Sequence, residues 1–524
     1  METSQESTTV SITKSSSTPT NSGEPVRRRD RLREIATRST TLVLKEFHRL
    51  YTNSNAPTPR QVDRSITPPV KRTDSQTIDE ILETSQPDTV KPQCMLFPTY
   101  GCQTEVDGDM RWKVEIAGWT FAIPGSTRLE RFLLAAGRTY GGFMANSAED
   151  THFTSLLNQF RCHTMKEIDV NIRLGARILE KIQKQDDLEH KQQHDDMITT
   201  LINSGPNGRF EHTLLLDPME IQRWIHGKTL KLEALFDGIE SPYPGFVDLI
   251  PPTGISIISD IDDTIKITDV PDGSDAILRN TFFRKAREVP GMSDVYRKWA
   301  EQGAHVHYVS NGPWQVLPAL EEFFKDTSFP KGSMHLRVIT TQDLLRGKPK
   351  QHKLEVIPKI FEDFPNRKFI LVGDSGEYDP EIYQEIYARF PHQVAKIFIH
   401  DVTSERAIDQ DRRQRDRDAS DSYYNTLRKF LIKEESHLLR RSNTATHTAM
   451  DAMTHTEMPN EQEAALDPEV PPATKLELFQ QRMERVSAGM PEGMFTVFKL
   501  ASQLLTDPVM AEEFLVANQS ELGI

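Results

Sequence analysis

The stretch Ser256-Ile-Ile-Ser-Asp260-Ile261-Asp262-Asp263-Thr264 decides the reading of this chain. Ile255, Ile257, Ile258 and Ile261 are β-branched residues that suit a strand buried on both faces of a parallel sheet. In open α/β sheets ligands bind beyond the carboxyl ends of such strands, which is where Asp260 falls. Two aspartates spaced in this way fit Mg²⁺-assisted phosphoryl chemistry. The bland alternative is that Asp260 or Thr264 merely caps the following turn.

Three further signals follow in order. The run Ala304-His-Val-His-Tyr-Val309 reads as a second strand ending in Ser310-Asn311-Gly312, a hydroxyl and an amide able to hold a phosphate oxygen. Next, Gly347-Lys-Pro-Lys-Gln-His-Lys353 opens a helical pattern with Leu354, Ile357 and Phe361 on one face, and Lys353 near its start can point a cation inward. Lys368-Phe-Ile-Leu-Val372 then reads as a third strand, released at Gly373-Asp374-Ser375-Gly376-Glu377-Tyr378-Asp379. Its glycines allow a sharp turn. Taken singly, Ser310 could be a turn former, Lys353 a solvated lysine, and Asp374 with Asp379 an acidic loop. The ordered set argues for a site.

These four motifs resemble those of the haloacid dehalogenase superfamily. More narrowly, Asp-Ile-Asp-Asp-Thr-Ile-Lys, Tyr-Val-Ser-Asn-Gly-Pro-Trp, His-Lys-Leu and Leu-Val-Gly-Asp-Ser-Gly-Glu-Tyr-Asp-Pro-Glu resemble the fungal actin-patch-associated phosphatidate phosphatases, distant lipin relatives. The likeness is specific over Phe246 to Val402 and looser back to Cys94. It implies a Rossmann-like parallel sheet, with Asp260 as nucleophile and Asp262 as general acid and base. Ser310 and Lys353 would hold the transferring phosphoryl oxygens. Asp260, Asp374 and the backbone carbonyl of Asp262 would bind Mg²⁺. Thr264 and Asn311 support the site, Asp379 supports the metal shell or orients Lys353, and Asp263 lies off the reaction axis. The implied partners are a phosphatidate-containing membrane surface and cortical actin or endocytic proteins.

The intervals Ile265 to Val309 and Asn311 to Leu345 leave no room for a cap domain of typical size. An uncapped site suits substrates with bulk of their own, such as a protein side chain or a lipid headgroup at a membrane. The resemblance selects phosphatidate, converted to diacylglycerol. A capless protein phosphatase and a catalytically weak lipid-sensing scaffold are the alternatives.

A length of 524 residues suggests two or three domains. Hydrophobic content of 37% and a mean hydropathy of -0.54 are low for one compact body, so disordered segments are expected. A net charge of -14 argues against nucleic-acid binding. No window is apolar enough to span a bilayer and the first residues lack a signal core, which predicts a cytoplasmic, peripherally membrane-associated protein. Cys94, Cys102 and Cys162 have no metal-ligand spacing and read as reduced packing residues.

Along the chain, residues 1–24 read as disordered and 25–52 as a basic amphipathic helix. In that helix Arg27, Arg28, Arg29, Arg31, Arg33 and Phe47 could contact anionic lipid or pack on the core. Residues 53–91 read as a linker. Residues 92–245 read as a β-rich accessory domain, a sandwich being one arrangement, because Met110 to Ile116, Phe210 to Leu216 and Leu230 to Ala234 carry strand patterns. Ser126 to Gly137 and Thr164 to Lys191 read as its helical insertion. Residues 246–439 read as the phosphatase domain, with Ala395 to Asp401 as the last strand of its sheet and a helix at its end. Residues 440–472 read as disordered and 473–524 as a helical segment.

Overall fold

The computed structural model describes residues 91–175, 198–337, 349–442 and 472–521, apart from positions 124, 126, 127, 223, 224, 227 and 240. The readings made for residues 1–90, including the basic helix with Arg27, Arg28, Arg29, Arg31, Arg33 and Phe47, lie outside the described residues, as do those for 443–471.

Alternating apolar and polar residues build a first sheet. Its strands are β1 (Gln93–Leu96), β2 (Thr99–Val106), β3 (Asp109–Ala122), β4 (His163–Thr164), β5 (Asp169–Leu174), β6 (Ile198–Asn203), β7 (Arg209–Leu216), β8 (Ile225–His226), β9 (Thr229–Leu235) and β10 (Tyr243–Leu249). The order is β1-β3-β2-β10-β9-β5-β6, with β4 and β7 also paired to β3 and β8 to β9. Only β2 and β10 pair parallel. The hydrogen-bonding path through these strands is continuous. The cause is β3, long enough to pair β2 and β1 in succession along one edge and β7 and β4 along the other.

Helix α1 (Arg128–Gly141) falls where a helix is expected, and α2 (Ala148–Phe160) is an addition capped by Ser147, whose hydroxyl accepts the Asp150 N–H at 3.1 Å. The helix expected over Thr164 to Lys191 is corrected in its first part, up to Leu174. Val170, Ile172 and Leu174 alternate as strand residues and are fully buried in β5, which pairs with β6 and β9. Residues 176–197 lie outside the described set.

The second sheet is parallel throughout. It comprises β11 (Ile255–Ser259), β12 (His305–Pro313), β13 (Ser333–Arg337), β14 (Lys368–Asp374), β15 (Val394–His400) and β16 (Phe495–Phe498), in the order β13-β12-β11-β14-β15-β16. Helices α3 (Met292–Glu301), α4 (Leu317–Thr327), α5 (Pro349–Asp363) and α6 (Asp379–Arg389) make the crossovers. The chain leaves β11 toward β12 on one side and returns to β14 on the other. The winding therefore reverses at β11, the position at which such sheets bind ligands.

The helix expected at the end of the phosphatase domain is long, and the segment after it differs from the sequence reading. Helix α7 (Ser404–Ser442) is continuous through both the Arg and Asp-rich run and the residues after it. Beyond it, α8 (Lys475–Ser487) precedes β16, which pairs outside β15 and becomes the edge strand, and α9 (Pro508–Glu521) follows. The terminal segment is thus built into the sheet. Its strand, Phe-Thr-Val-Phe, is too short for a period of two to stand out.

The two sheets share packing. Phe97, Trp119, Phe121, Leu156 and Leu157 lie in one apolar core with Ile257, Tyr296, Tyr308 and Trp314. Phe97 stacks on Trp314 with ring centroids 3.6 Å apart. Arg367, only 1% exposed, donates to the Pro251 carbonyl at 2.8 Å and the Ser256 hydroxyl at 2.9 Å, as well as to the carbonyls of Thr253 and Ile255. It thereby ties down the link between β10 and β11.

His307 is buried in this region, with one ring nitrogen 2.8 Å from the Ser333 hydroxyl and the other without a partner. Burial first, then His335, Arg367 and His305, push its pKa well below 6.5. The unfolded chain takes a proton that the folded chain refuses, so His307 adds stability above pH about 6.5 that is lost as pH falls. Thermal melts should show a steeper acid loss in the parent than in His307→Gln; equal slopes would show that the folded protein protonates His307.

Candidate active site

The site is assembled at the carboxyl ends of β12, β11 and β14. The Asp260 amide continues the ladder, donating to the Val372 carbonyl at 2.9 Å, and the chain then turns. Asp263 takes the left-handed conformation at that turn, with φ of 57°. Its carboxylate accepts the amides of Thr268, Asp269 and Val270 at 2.8, 2.7 and 2.6 Å. Asp263 therefore organises the loop, and Asp260 and Asp262 are left to face the cleft.

Asp260 is 2% exposed. One of its oxygens accepts the Lys353 ammonium at 2.7 Å and the other the Thr264 hydroxyl at 3.2 Å. Lys353, 1% exposed near the start of α5, also bonds Asp379. Burial alone would lower the Lys353 pKa, but Asp260, Asp379 and Glu377 outweigh it and hold the ammonium well above its ordinary value. A solvated lysine is excluded at this position.

Asp262 is held on one oxygen by Lys266 at 2.7 Å and Thr268 at 2.6 Å, with the Ser310 hydroxyl 3.4 Å from the other. The Gly312 amide in turn donates to Ser310 at 2.9 Å. Asn311 donates to Glu377 at 3.0 Å. Asp374, fully buried at the end of β14, accepts the amides of Gly376 and Glu377 on one oxygen at 2.6 and 3.0 Å. Its second oxygen is buried without a partner. Asp379 also accepts the Asp374 amide at 3.3 Å. Gly373 permits that approach, since a Cβ there would stand 2.6 Å from the Cβ of Asp379.

All the central residues singled out from the sequence thus converge: Asp260, Asp262, Thr264, Ser310, Asn311, Lys353, Asp374 and Asp379. Lys266, Thr268 and Glu377 were not assigned roles there. A signal for Lys266 existed, a lysine between Ile265 and Ile267 and four residues after Asp262.

Carboxylate oxygens of Asp260, Asp374 and Asp379 lie within 4.8 Å of one another. Burial, followed by Asp379 and Glu377, pushes Asp374 well above the usual carboxylate range. Burial raises Asp260 too, with Lys353 opposing and Asp379 adding to the rise. Glu377, partly open to solvent, is pushed up to about 7 by desolvation in the cleft, with Lys353 again opposing. Such a cluster, with an orphaned buried carboxylate oxygen, is the donor set that a hard divalent cation takes.

Fold and site define an α/β domain with a buried carboxylate cluster at the switch point of a parallel sheet. Within that class, residues 255–401 match the family model described as phosphatidate phosphatase APP1, catalytic domain. An uncharacterized protein of Schizosaccharomyces pombe is 36% identical over 174 residues, and the phosphatidate phosphatase APP1 of Saccharomyces cerevisiae is 34% identical over 173. Each alignment takes in 32% of this chain and 29% of the relative, so the chain covers under a third of either relative's length. The resemblance carried by the four motifs is shown over this segment; the matches name the phosphatidate phosphatases and not the wider haloacid dehalogenase superfamily.

Removing Lys353 leaves two buried carboxylates facing each other. Lys353→Met should lower the unfolding free energy by about 3–5 kcal/mol in urea titrations, and adding Asp379→Asn should return part of it. A single variant as stable as the parent would mean that Asp260 and Asp379 share a proton without help from the lysine.

Proposed function

We propose that the chain is a Mg²⁺-dependent phosphatidate phosphatase, hydrolysing phosphatidate to diacylglycerol and phosphate on a haloacid dehalogenase-like domain without a large cap. The observation that carries this reading is the buried set of Asp260, Asp262, Lys353 and Asp374 at the switch point of a segment similar to a phosphatidate phosphatase catalytic domain.

Asp260, Asp374 and the Asp262 carbonyl would hold the Mg²⁺, with Asp379 beside them. When bound, the ion would keep these carboxylates ionised and neutralise phosphate oxygens. An oxygen of Asp260 attacks phosphorus as the bond to the diacylglycerol oxygen breaks, and Asp262 gives that oxygen its proton. Water then attacks the phosphorus of the aspartyl-phosphate, Asp262 takes the water's proton, and the Asp260 carboxylate is released with phosphate. Ser310 and Lys353 hold the phosphoryl oxygens through both steps. Lys266 and Thr268 aim the Asp262 carboxylate.

Encounter with phosphatidate at a cytoplasmic membrane surface, through Arg27, Arg28, Arg29, Arg31, Arg33 and Phe47, belongs to the same proposal, as does a link to cortical actin or endocytic proteins. No helix among the described residues is long and apolar enough to cross a membrane.

The test is phosphate release from phosphatidate vesicles and from phosphopeptides, with and without Mg²⁺. Vesicle turnover only with Mg²⁺ is expected, and it should be abolished in Asp260→Asn and in Asp262→Asn while both remain folded. Peptide turnover without lipid turnover would point to a protein phosphatase instead.

Because an ion that binds only the folded chain stabilises it, Mg²⁺ should also raise the melting temperature of the parent but not of Asp374→Asn. An equal rise in both would remove Asp374 from the metal site.

A further inference from the structure

The loop Ser375-Gly376-Glu377 is held from two sides. On the cleft side the amides of Gly376 and Glu377 fix one oxygen of Asp374, which leaves the other oxygen free. On the far side the carbonyls of Ser375 and Glu377 each accept a bond of 2.6 Å from the guanidinium of Arg482. The Ser375 carbonyl and the Gly376 amide belong to one peptide unit, so a single peptide plane separates Arg482 from Asp374. A cation on the carbonyl strengthens donation from the amide of the same unit.

Two further donors of Arg482 engage Glu381 in the first turn of α6 at 2.7 and 2.8 Å. One planar fork thus locks the loop to the helix that carries Asp379. Arg482 does not come from the segment that matches the family model. It stands on α8, whose start is capped locally and which two further contacts fix to the fold. Thr474 and Glu477 form a capping box at its start. Asp411 of α7 accepts the amides of Lys475 and Leu476 at 2.8 and 3.0 Å. Phe479, Met483 and Val486 are buried. Downstream, β16 pairs with β15, and the buried Lys396 of β15 meets Asp507 at 2.6 Å.

We propose that Arg482 is a positioning residue for the acid-bearing loop after β14, which makes the C-terminal segment 472–521 part of the catalytic unit rather than an appendage. The catalytic half of this inference rests on the phosphatase reading above. The structural half does not.

The experiment uses the full chain. In Arg482→Ala, hydrogen exchange of a peptide covering residues 374–378 should be faster than in the parent, while peptides from β11 and β12 exchange as before. With vesicle phosphatidate and Mg²⁺, kcat should fall by about 10- to 100-fold, the usual cost of removing a group that orients a metal ligand, with KM changing far less. Arg482→Lys keeps the charge opposite Glu381 but cannot bridge both carbonyls, and should lie between the two. It carries the test should the alanine variant not fold. Unchanged exchange at 374–378 with kcat within about two-fold of the parent, in whichever variant folds, would overturn the proposal. If the parent turns over no phosphatidate, the functional reading fails, and the exchange measurement alone still decides whether Arg482 positions the loop.

Discussion

The contact on which the site depends is the Lys353 ammonium between Asp260 and Asp379. Its side chain is 1% exposed, and the two carboxylates are equally removed from solvent. Burying three charges is costly unless their geometry and hydrogen bonds are complete. Here α5 brings the lysine and α6 the second aspartate to the end of β11, so the crossover helices, and not the sheet alone, satisfy Asp260. The arrangement remains short of positive charge. Asp260, Asp262, Asp374, Asp379 and Glu377 surround two buried lysines, Lys353 and Lys266, and Asp374 keeps an unmatched oxygen. An acid-rich site with an orphaned buried acceptor is half of an electrostatic pair. The proposed Mg²⁺ is the other half.

Much of this site was legible because parallel strands advertise themselves as uninterrupted apolar runs and release their functional residues at their carboxyl ends. Asp260, Ser310 and Asp374 each follow such a run, and Lys353 stands on the apolar side of a helical pattern. What escaped depended on tertiary contact. Glu377 looks like any loop acid until Asn311 is seen to bond it. Thr268 gains meaning only when the loop after Asp263 folds back on Asp262. β16 lies far along the chain from its partner β15, and pairings between such distant segments leave no local periodicity. The helix misread across β5 has a different cause. There the three alternating apolar residues Val170, Ile172 and Leu174 were outweighed by the polar, helix-favouring residues that follow them.

The first sheet is coupled to the cleft through side chains rather than through mere adjacency. Trp314 follows directly on β12 and stacks on Phe97. His305, at the start of β12, lies 2.9 Å from Asp248 of β10. Tyr100 and Lys113 both donate to Asp363 at the end of α5, at 2.7 and 2.9 Å. Two of the elements that place Ser310 and Lys353 are thus braced by β2, β3 and β10. Alteration in that sheet reaches the site by a short path.

The spacing of the motifs also bears on how open the cleft is, but only in part. Intervals between motifs count residues inserted within the catalytic sheet, whereas α1 and α2 are inserted in the first sheet and come to the site's flank from there. Phe153 of α2 packs on Phe283, with ring centroids 5.0 Å apart, and Phe160 on Phe282, at 5.3 Å. His152 bonds the Thr281 carbonyl at 3.1 Å. The neighbouring Asn280 donates to the Thr268 carbonyl and to Asp269, which places this contact one residue from the group that aims Asp262. The residues packed beside Asp262 are therefore backed by a helical pair that lies 102 to 134 residues before it in the chain. An inference of openness drawn from motif intervals describes the catalytic sheet alone.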